Sequence, residues 1–254
     1  MFEWTDMQEQ RDGVRCRVFR PRGEGRLASA AMYDRPGTQP GERAPVLLVQ
    51  HGGSSSKTGV DVWDAAMEFA GRLGWRVVAL DGPVHGARTP PGEPDEGPAN
   101  RARFFHVWEH DPGHVGSHVA RWQALIDELA HALPGSGLHW LGVSMGTAYG
   151  LPLLAVERRV SRAVLGMWGI SFVQSARLLD DARAVRCPVL FQQKWDDELF
   201  TREGQLALFD VLGTADKRLQ VFVGGHVRIA GEQMHEIVRF LSRPQAVPPP
   251  ASGG

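Results

Sequence analysis

The sequence predicts a doubly wound α/β protein built on a mostly parallel sheet, and three observations carry that prediction. Short apolar runs recur: PVLLVQ at 45 to 50, WRVVAL at 75 to 80, HWLGV at 139 to 143, RAVLGMW at 162 to 168, PVLFQQ at 188 to 193 and LQVFV at 219 to 223. They lack the apolar and polar alternation of a half-exposed sheet, so they read as strands covered on both faces. Between them lie segments of helical period, in which Trp122, Leu125, Ile126, Leu129 and Leu133 repeat at three and four residues, as do Met234, Ile237, Val238 and Leu241. Strands alternating with amphipathic helices make right-handed parallel crossovers.

Taken in order, RCRVFRP and LASAAMY precede Pro45 and read as two further strands, an antiparallel start to the sheet. After WRVVAL, residues 82 to 114 are rich in Pro, Gly and charge yet carry Phe104, Phe105 and Trp108. A loop this long inside a compact domain is usually functional, and this one is expected to cover a pocket. TAYGLPLLAVERR, after HWLGV, can start a helix. Residues 1 to 243 are read as one domain, and the tail from Pro244, PQAVPPPASGG, as too poor in apolar residues to fold.

Composition limits the function classes. The 254 residues carry 28 Lys plus Arg against 29 Asp plus Glu, so no net field draws in nucleic acid or an anionic membrane. The start, MFEWTDMQEQRDG, has no apolar core of signal-peptide length, and no stretch approaches the roughly 18 apolar residues that span a bilayer. A soluble, cytoplasmic protein without nucleic-acid or membrane partners is expected. Cys16 and Cys187 could form at most one bridge, and Cys187 opens an apolar run, so both read as reduced thiols.

The chemistry concentrates in HWLGVSMGTAYG, where Ser144 stands between Gly142 and Gly146. Alone, G-x-S-x-G is a weak pattern, and a plain Gly-rich turn also fits it. Here it follows an apolar strand and precedes a helix, the context in which a nucleophilic serine sits on a strained turn above the sheet. Such a hydroxyl needs a base, and the base an orienting acid. KWDDELF follows the strand PVLFQQ and places Asp196 and Asp197 just beyond its carboxyl end, while GGH follows LQVFV and places His226 likewise. An oxyanion hole is expected from the backbone N–H of Met145 and from the loop HGGSSSKTG, where Gly53, and next Ser54, lets a carbonyl approach the backbone. His51 is read as a structural hydrogen-bonding residue.

HGG at 51 to 53, DGPVHG at 81 to 86, GVSMG at 142 to 146, WDDELF at 195 to 200 and GGH at 224 to 226, in that order, resemble the α/β-hydrolase superfamily, more narrowly its dienelactone hydrolase-like esterases. The resemblance spans roughly residues 14 to 242. It implies an eight-stranded, mostly parallel sheet, no cofactor and hydrolysis through a covalent acyl-enzyme on a small-molecule ester, lactone or thioester. The dienelactone hydrolases themselves carry a cysteine nucleophile, so the likeness is to their serine esterase relatives. Family members often read D-x-x-V-P after this strand. Laying Phe200 and Thr201 on the last two positions makes Asp197 the acid, and a shift by one makes it Asp196, the other being a surface residue or a helix cap. Only about 16 residues separate the strand ending near Ile170 from that starting at Pro188. That leaves no room for the large cap domain of many relatives, so the pocket walls are expected from residues 82 to 114, Trp168 and SFVQSARLL. Small or medium acyl groups fit such a site.

Other patterns are weaker. GGSSSKTG lacks the glycines that a phosphate-binding loop would need at His51 and Ser56. His106, His110, His114 and His118 recur every four residues, as metal ligands on one helix face would, but Pro112 and Gly113 interrupt the run, and a polar, solvent-facing segment is the expectation. Arg101 and Arg103 could grip a substrate carboxylate but read rather as solvated charges. An acyltransferase or thioesterase acting on a carrier-bound acyl group, and a non-catalytic binding protein of this fold, are the alternative functions.

Overall fold

The computed structural model describes residues 2–21, 29–39 and 42–244. The tail expected to be unfolded lies outside the described residues apart from Pro244, as does the start of LASAAMY. The apolar runs form β4 (Val46–Gln50), β5 (Arg76–Leu80), β6 (Leu138–Leu141), β7 (Val160–Gly166), β8 (Val189–Lys194) and β9 (Lys217–Phe222), all parallel to their neighbours among themselves. The antiparallel start is β1 (Glu3–Arg11), β2 (Val14–Arg20) and β3 (Ala30–Asp34). The sheet therefore has nine strands, in the order β1-β2-β3-β5-β4-β6-β7-β8-β9, one more than expected. The additional strand is β1. It is an edge strand with nearly every residue exposed, so it carries no apolar run that would reveal it.

Helices cover both faces. α1 (Val60–Ala66), which continues as a π-helical turn through Arg72, and α7 (Glu232–Leu241) lie on one side. α2 (Gly97–His110), α3 (Gly113–Ala132), α4 (Met145–Val156), α5 (Leu178–Ala184) and α6 (Arg202–Asp210) lie on the other. β4 shows why its run does not alternate in polarity: Leu47 and Val49 face the first core, Val46 and Leu48 the second, and all are buried. Both sides of each central strand are stripped of water, so both must be apolar.

Strand order reverses at β4, which sits between β5 and β6. In open α/β sheets the crevice at such a reversal, outside the carboxyl ends of the strands, is where ligands bind. The loops after β4, β6, β8 and β9 all open at this edge. Residues 82 to 114 are not one long loop. α2 occupies their second half, buries Phe104 and Trp108, and lays Phe105 against Phe172, with ring centroids 4.9 Å apart.

Candidate active site

The turn between β6 and α4 explains its own glycines. A Cβ on Gly142 would lie 2.8 Å from the carbonyl oxygen of Gly146 and from Trp140 Nε1, and one on Gly146 would lie 2.8 Å from the carbonyl oxygen of Gln50. Strand and helix pass too closely for any side chain. Ser144 between them has φ 56° and ψ −122°, a conformation that costs a non-glycine residue on the order of 1–3 kcal/mol. The turn is tied down by Ser144 N donating to the carbonyl of Gly166 at 2.9 Å, and the hydroxyl is left facing the loops after β8 and β9.

There Ser144 Oγ lies 2.9 Å from His226 Nε2, and His226 Nδ1 lies 3.0 Å from Asp197 Oδ2. The side chain of Asp197 is wholly buried, and that of His226 is partly buried. The other oxygen of Asp197 accepts the backbone N–H groups of Leu199 and Phe200, both at 2.9 Å, and Gln205 Nε2 reaches Oδ2 at 3.3 Å. Of the two aspartates, then, Asp197 faces the histidine. Asp196 is exposed and accepts the N–H of Gly224 at 3.2 Å. It does not cap α6, a role filled by Thr201, whose hydroxyl accepts from Gly204 N at 3.1 Å. Glu198, which sequence reasoning passed over, accepts the backbone N–H of His226 at 2.8 Å. Three consecutive carboxylates thus hold one histidine loop, by two backbone amides and one ring nitrogen.

Gly53 lies beside Met145: a Cβ on the glycine would be 3.9 Å from that of Met145 and 3.1 Å from Phe104 Cδ1. The backbone N–H groups of Gly53, Ser54 and Met145 have no acceptor among the described residues. Unspent amides beside a serine hydroxyl are the donors that an oxyanion requires. Two buried histidines hold this loop. His51 Nε2 accepts the N–H of Gly82 at 2.8 Å, which leaves its Nδ1–H to donate to the carbonyl of Gly52 at 2.8 Å. Burial keeps the His51 ring neutral by lowering its pKa, and it pushes His85 down to about 4. His85 places Nε2 2.9 Å from the Gly53 carbonyl. Beneath them, Lys57 and Asp81 form a buried ion pair that joins the loops after β4 and β5.

A cavity of about 290 Å³ opens over Ser144, walled by Phe104, Phe105, Met167, Leu199, Ile229 and Met234. Residues 82 to 114 do form a wall, through α2. Trp168 and the segment 171 to 179 do not: Trp168 is buried against Phe200, with ring centroids 4.4 Å apart, and against Phe104 and Trp108 of α2. Arg101 stands exposed at the rim. Arg103 is not a solvated loop charge, since it is half-buried in α2 and donates to the carbonyls of Pro94 at 2.9 Å and Val84 at 3.4 Å. Nor is the histidine series a solvent-facing segment. His106 and His110 are exposed on α2, but His114 and His118 are buried on α3 against Tyr149 and Gln50. No group of three or more potential metal-ligating side chains occurs among the described residues. Cys16 and Cys187 are unbridged, and burial raises their thiols to about 11 and about 12. No helix among the described residues is long and apolar enough to cross a membrane.

This sheet order, with the serine turn after β6 and the histidine loop after β9, is that of an α/β hydrolase. The chain is similar to a cold-adapted esterase from an Arctic intertidal metagenomic library, at 30% identity over 94% of this chain and 97% of the other, with a TM-score of 0.79. A protein from Klebsiella pneumoniae assigned as a dienelactone hydrolase shares the fold at 15% identity, with a TM-score of 0.69 over 90% of this chain and 96% of that one. So does an acetyl xylan esterase from a Paenibacillus species, at 14% identity, with a TM-score of 0.67 over 95% and 87%. No protein-family model and no curated protein matches the sequence. The chain belongs to the α/β-hydrolase superfamily, among its dienelactone hydrolase-like esterases.

Proposed function

We propose that the protein is a serine carboxylic-ester hydrolase in which Ser144, His226 and Asp197 are the catalytic residues and the N–H groups of Gly53 and Met145 form the oxyanion hole. The observation that carries this reading is the unbroken line from Asp197 through His226 to Ser144 Oγ, ending beside amides that have no acceptor among the described residues.

Each group has a defined task. As Ser144 Oγ attacks the ester carbonyl, its proton passes to His226 Nε2, and Asp197 stabilises the imidazolium through Nδ1–H while fixing the tautomer that can accept. The carbonyl oxygen, now an oxyanion, moves between the N–H groups of Gly53 and Met145. A preorganised donor of this kind is worth about 10² to 10³ in kcat. Collapse expels the alcohol, which takes the proton from His226 and leaves an acyl-Ser144. Water then enters, gives its proton to the same nitrogen, and releases the acid by the reverse sequence. No metal or organic cofactor is called upon in these steps.

The apolar walls of the cavity favour small or medium acyl groups, and esterase activity in the relative at 30% identity supports the reaction class. The test is a panel of p-nitrophenyl esters and acyl thioesters of graded chain length. Turnover of short and medium esters, with covalent labelling of Ser144 by a fluorophosphonate, is expected. Thioester turnover far exceeding ester turnover would move the protein to the thioesterases, and no turnover with no labelling would end the serine hydrolase reading.

A further inference from the structure

We propose that Asp61 is a positioning residue for the oxyanion hole, its carboxylate gripping the loop at 52 to 55 so that the N–H of Gly53 faces the adduct on Ser144. The inference rests on the serine esterase reading above.

The loop reads Gly52, Gly53, Ser54, Ser55, so it has no apolar side chain to bury and its glycines lose the most freedom when fixed. Something polar must hold it. Asp61 Oδ2 accepts the N–H of Gly52 at 3.0 Å, and Oδ1 accepts the hydroxyl of Ser55 together with the N–H of Val62 at 3.0 Å. On its other side Gly52 is held by its carbonyl, which accepts from His51 Nδ1–H at 2.8 Å and from Ser55 N at 3.1 Å. Both peptide groups of Gly52 are therefore fixed. In a trans peptide the C=O and N–H point in opposite directions, so tying the Gly52 carbonyl to His51 sends the Gly53 N–H the other way. Fixing the preceding peptide at Asp61 removes the remaining rotation. Donors of an oxyanion hole act by being in place before charge develops, and a displacement of about 1 Å forfeits much of their effect.

Asp61 has no cationic partner among the described residues. A carboxylate this near a developing oxyanion opposes it by charge, so its benefit comes through the loop and not through its field. That separates two variants. Asp61→Ala removes the anchor, whereas Asp61→Asn keeps an oxygen for Gly52 N–H and an amide that Ser55 Oγ can accept, while giving up the charge and the acceptor of the Val62 N–H.

The experiment measures kcat, KM and the affinity of a trifluoromethyl ketone, whose adduct with Ser144 places an oxyanion in the hole. Asp61→Ala is expected to lower kcat by about 30-fold with KM within about twofold, and to weaken the ketone by a similar factor. Binding of the carboxylic acid product should not change. Asp61→Asn is expected to stay within about fivefold of the unmodified protein. Should Asp61→Ala fail to fold, Ser55→Ala removes one anchor only and is expected to lower kcat and ketone affinity together, by about threefold. Unchanged kcat in Asp61→Ala, or in Ser55→Ala where that variant stands in, or a loss confined to KM, overturns the proposal, and so does an Asn variant as slow as the Ala variant, since the retained Gly52 and Ser55 contacts would then count for nothing. An unmodified protein that turns over no ester and takes no fluorophosphonate removes the esterase reading, and this inference with it. Full activity in Asp61→Ala with normal labelling removes this inference alone.

Discussion

Ser144 Oγ and His226 Nε2 stand 2.9 Å apart although 82 residues separate them in the chain. The approach is built by the sheet: one residue follows β6, the other follows β9, and both loops leave the same edge. Ser144→Ala removes the hydroxyl, adds no bulk and leaves the strained turn supported by its backbone bonds. It is expected to lower kcat by about 10⁴ to 10⁶ with the fold intact. A folded variant retaining a tenth of the original ester turnover, or peptide mass spectrometry that finds the fluorophosphonate on another residue, would take the nucleophile's role away from Ser144.

Chelation is expected to leave turnover unchanged, because in the proposed mechanism the N–H groups of Gly53 and Met145 polarise the carbonyl. The four histidines at 106 to 118 do not converge. His106 and His110 stack on α2 with ring centroids 4.4 Å apart, His114 lies between Tyr149 and Arg177, and His118 between Gln50 and Arg88. Activity lost in EDTA and restored by zinc would show that some of them act as ligands.

How much of this was legible in the sequence depended on whether a feature is periodic or local. The six parallel strands and the helices α3 and α7 announce themselves because burial on both faces, or on one stripe, imposes an apolar pattern. β1 has no buried face and so left no pattern. α2 was hidden by the Pro and Gly residues that precede it, although Phe104 and Trp108 already sat four residues apart. The serine, the histidine and the glycines of the turn were legible because their chemistry demands those residue types. Their supports were not: Asp61 lies nine residues beyond Gly52, Glu198 28 before His226, and His85 32 beyond Gly53. Only folded loops bring these together, and a carboxylate that accepts a backbone N–H has no sequence signature.

Acid is expected to destabilise the fold through its buried histidines. His85, His114 and His139 are pushed down to about 4 by burial, and His51 and His118 are lowered for the same reason. Between pH 6.5 and 4 the unfolded chain binds protons at His85, His114 and His139 that the folded chain refuses. Stability therefore falls as pH falls, by at most about 1.4 kcal/mol per pH unit for each of His85 and His139 and by less for His114, which solvent screens more. Asp61 and Asp181 act in the opposite sense, since burial raises them and the folded state takes up their protons first, which offsets part of the slope. Thermal melts should give a steady Tm above pH 7 and a steep decline from pH 6.5 to 4. Equal Tm values at pH 7.5 and pH 5 would contradict the burial of these rings.

The acid of the proposed triad provides the sharpest test, because two adjacent aspartates differ only in where they point. Asp197 Oδ2 receives His226 Nδ1–H, while its Oδ1 is filled by the amides of Leu199 and Phe200. Asp196 lies in the exposed loop, where among the described residues its hydrogen bonds go to the backbone of Gly224. In Asp197→Asn the amide has one oxygen where the carboxylate had two. If that oxygen stays with the Leu199 and Phe200 amides, the NH₂ faces His226 and favours the tautomer whose Nε2 carries the proton, so the ring can no longer take one from Ser144. The expected loss is up to about 10⁴ in kcat, with circular dichroism unchanged. Asp196→Asn keeps an oxygen for Gly224 N–H and leaves the ring untouched, so its kcat is expected within about threefold of the unmodified protein. Both variants are compared on one activated ester at a pH above the ordinary histidine range, where a neutral ring is required of each. A large loss in Asp196→Asn with Asp197→Asn near normal would reverse the assignment. Near-normal activity in both would mean that the imidazolium is stabilised without either carboxylate, and would direct attention to Glu198, which already holds the backbone of His226.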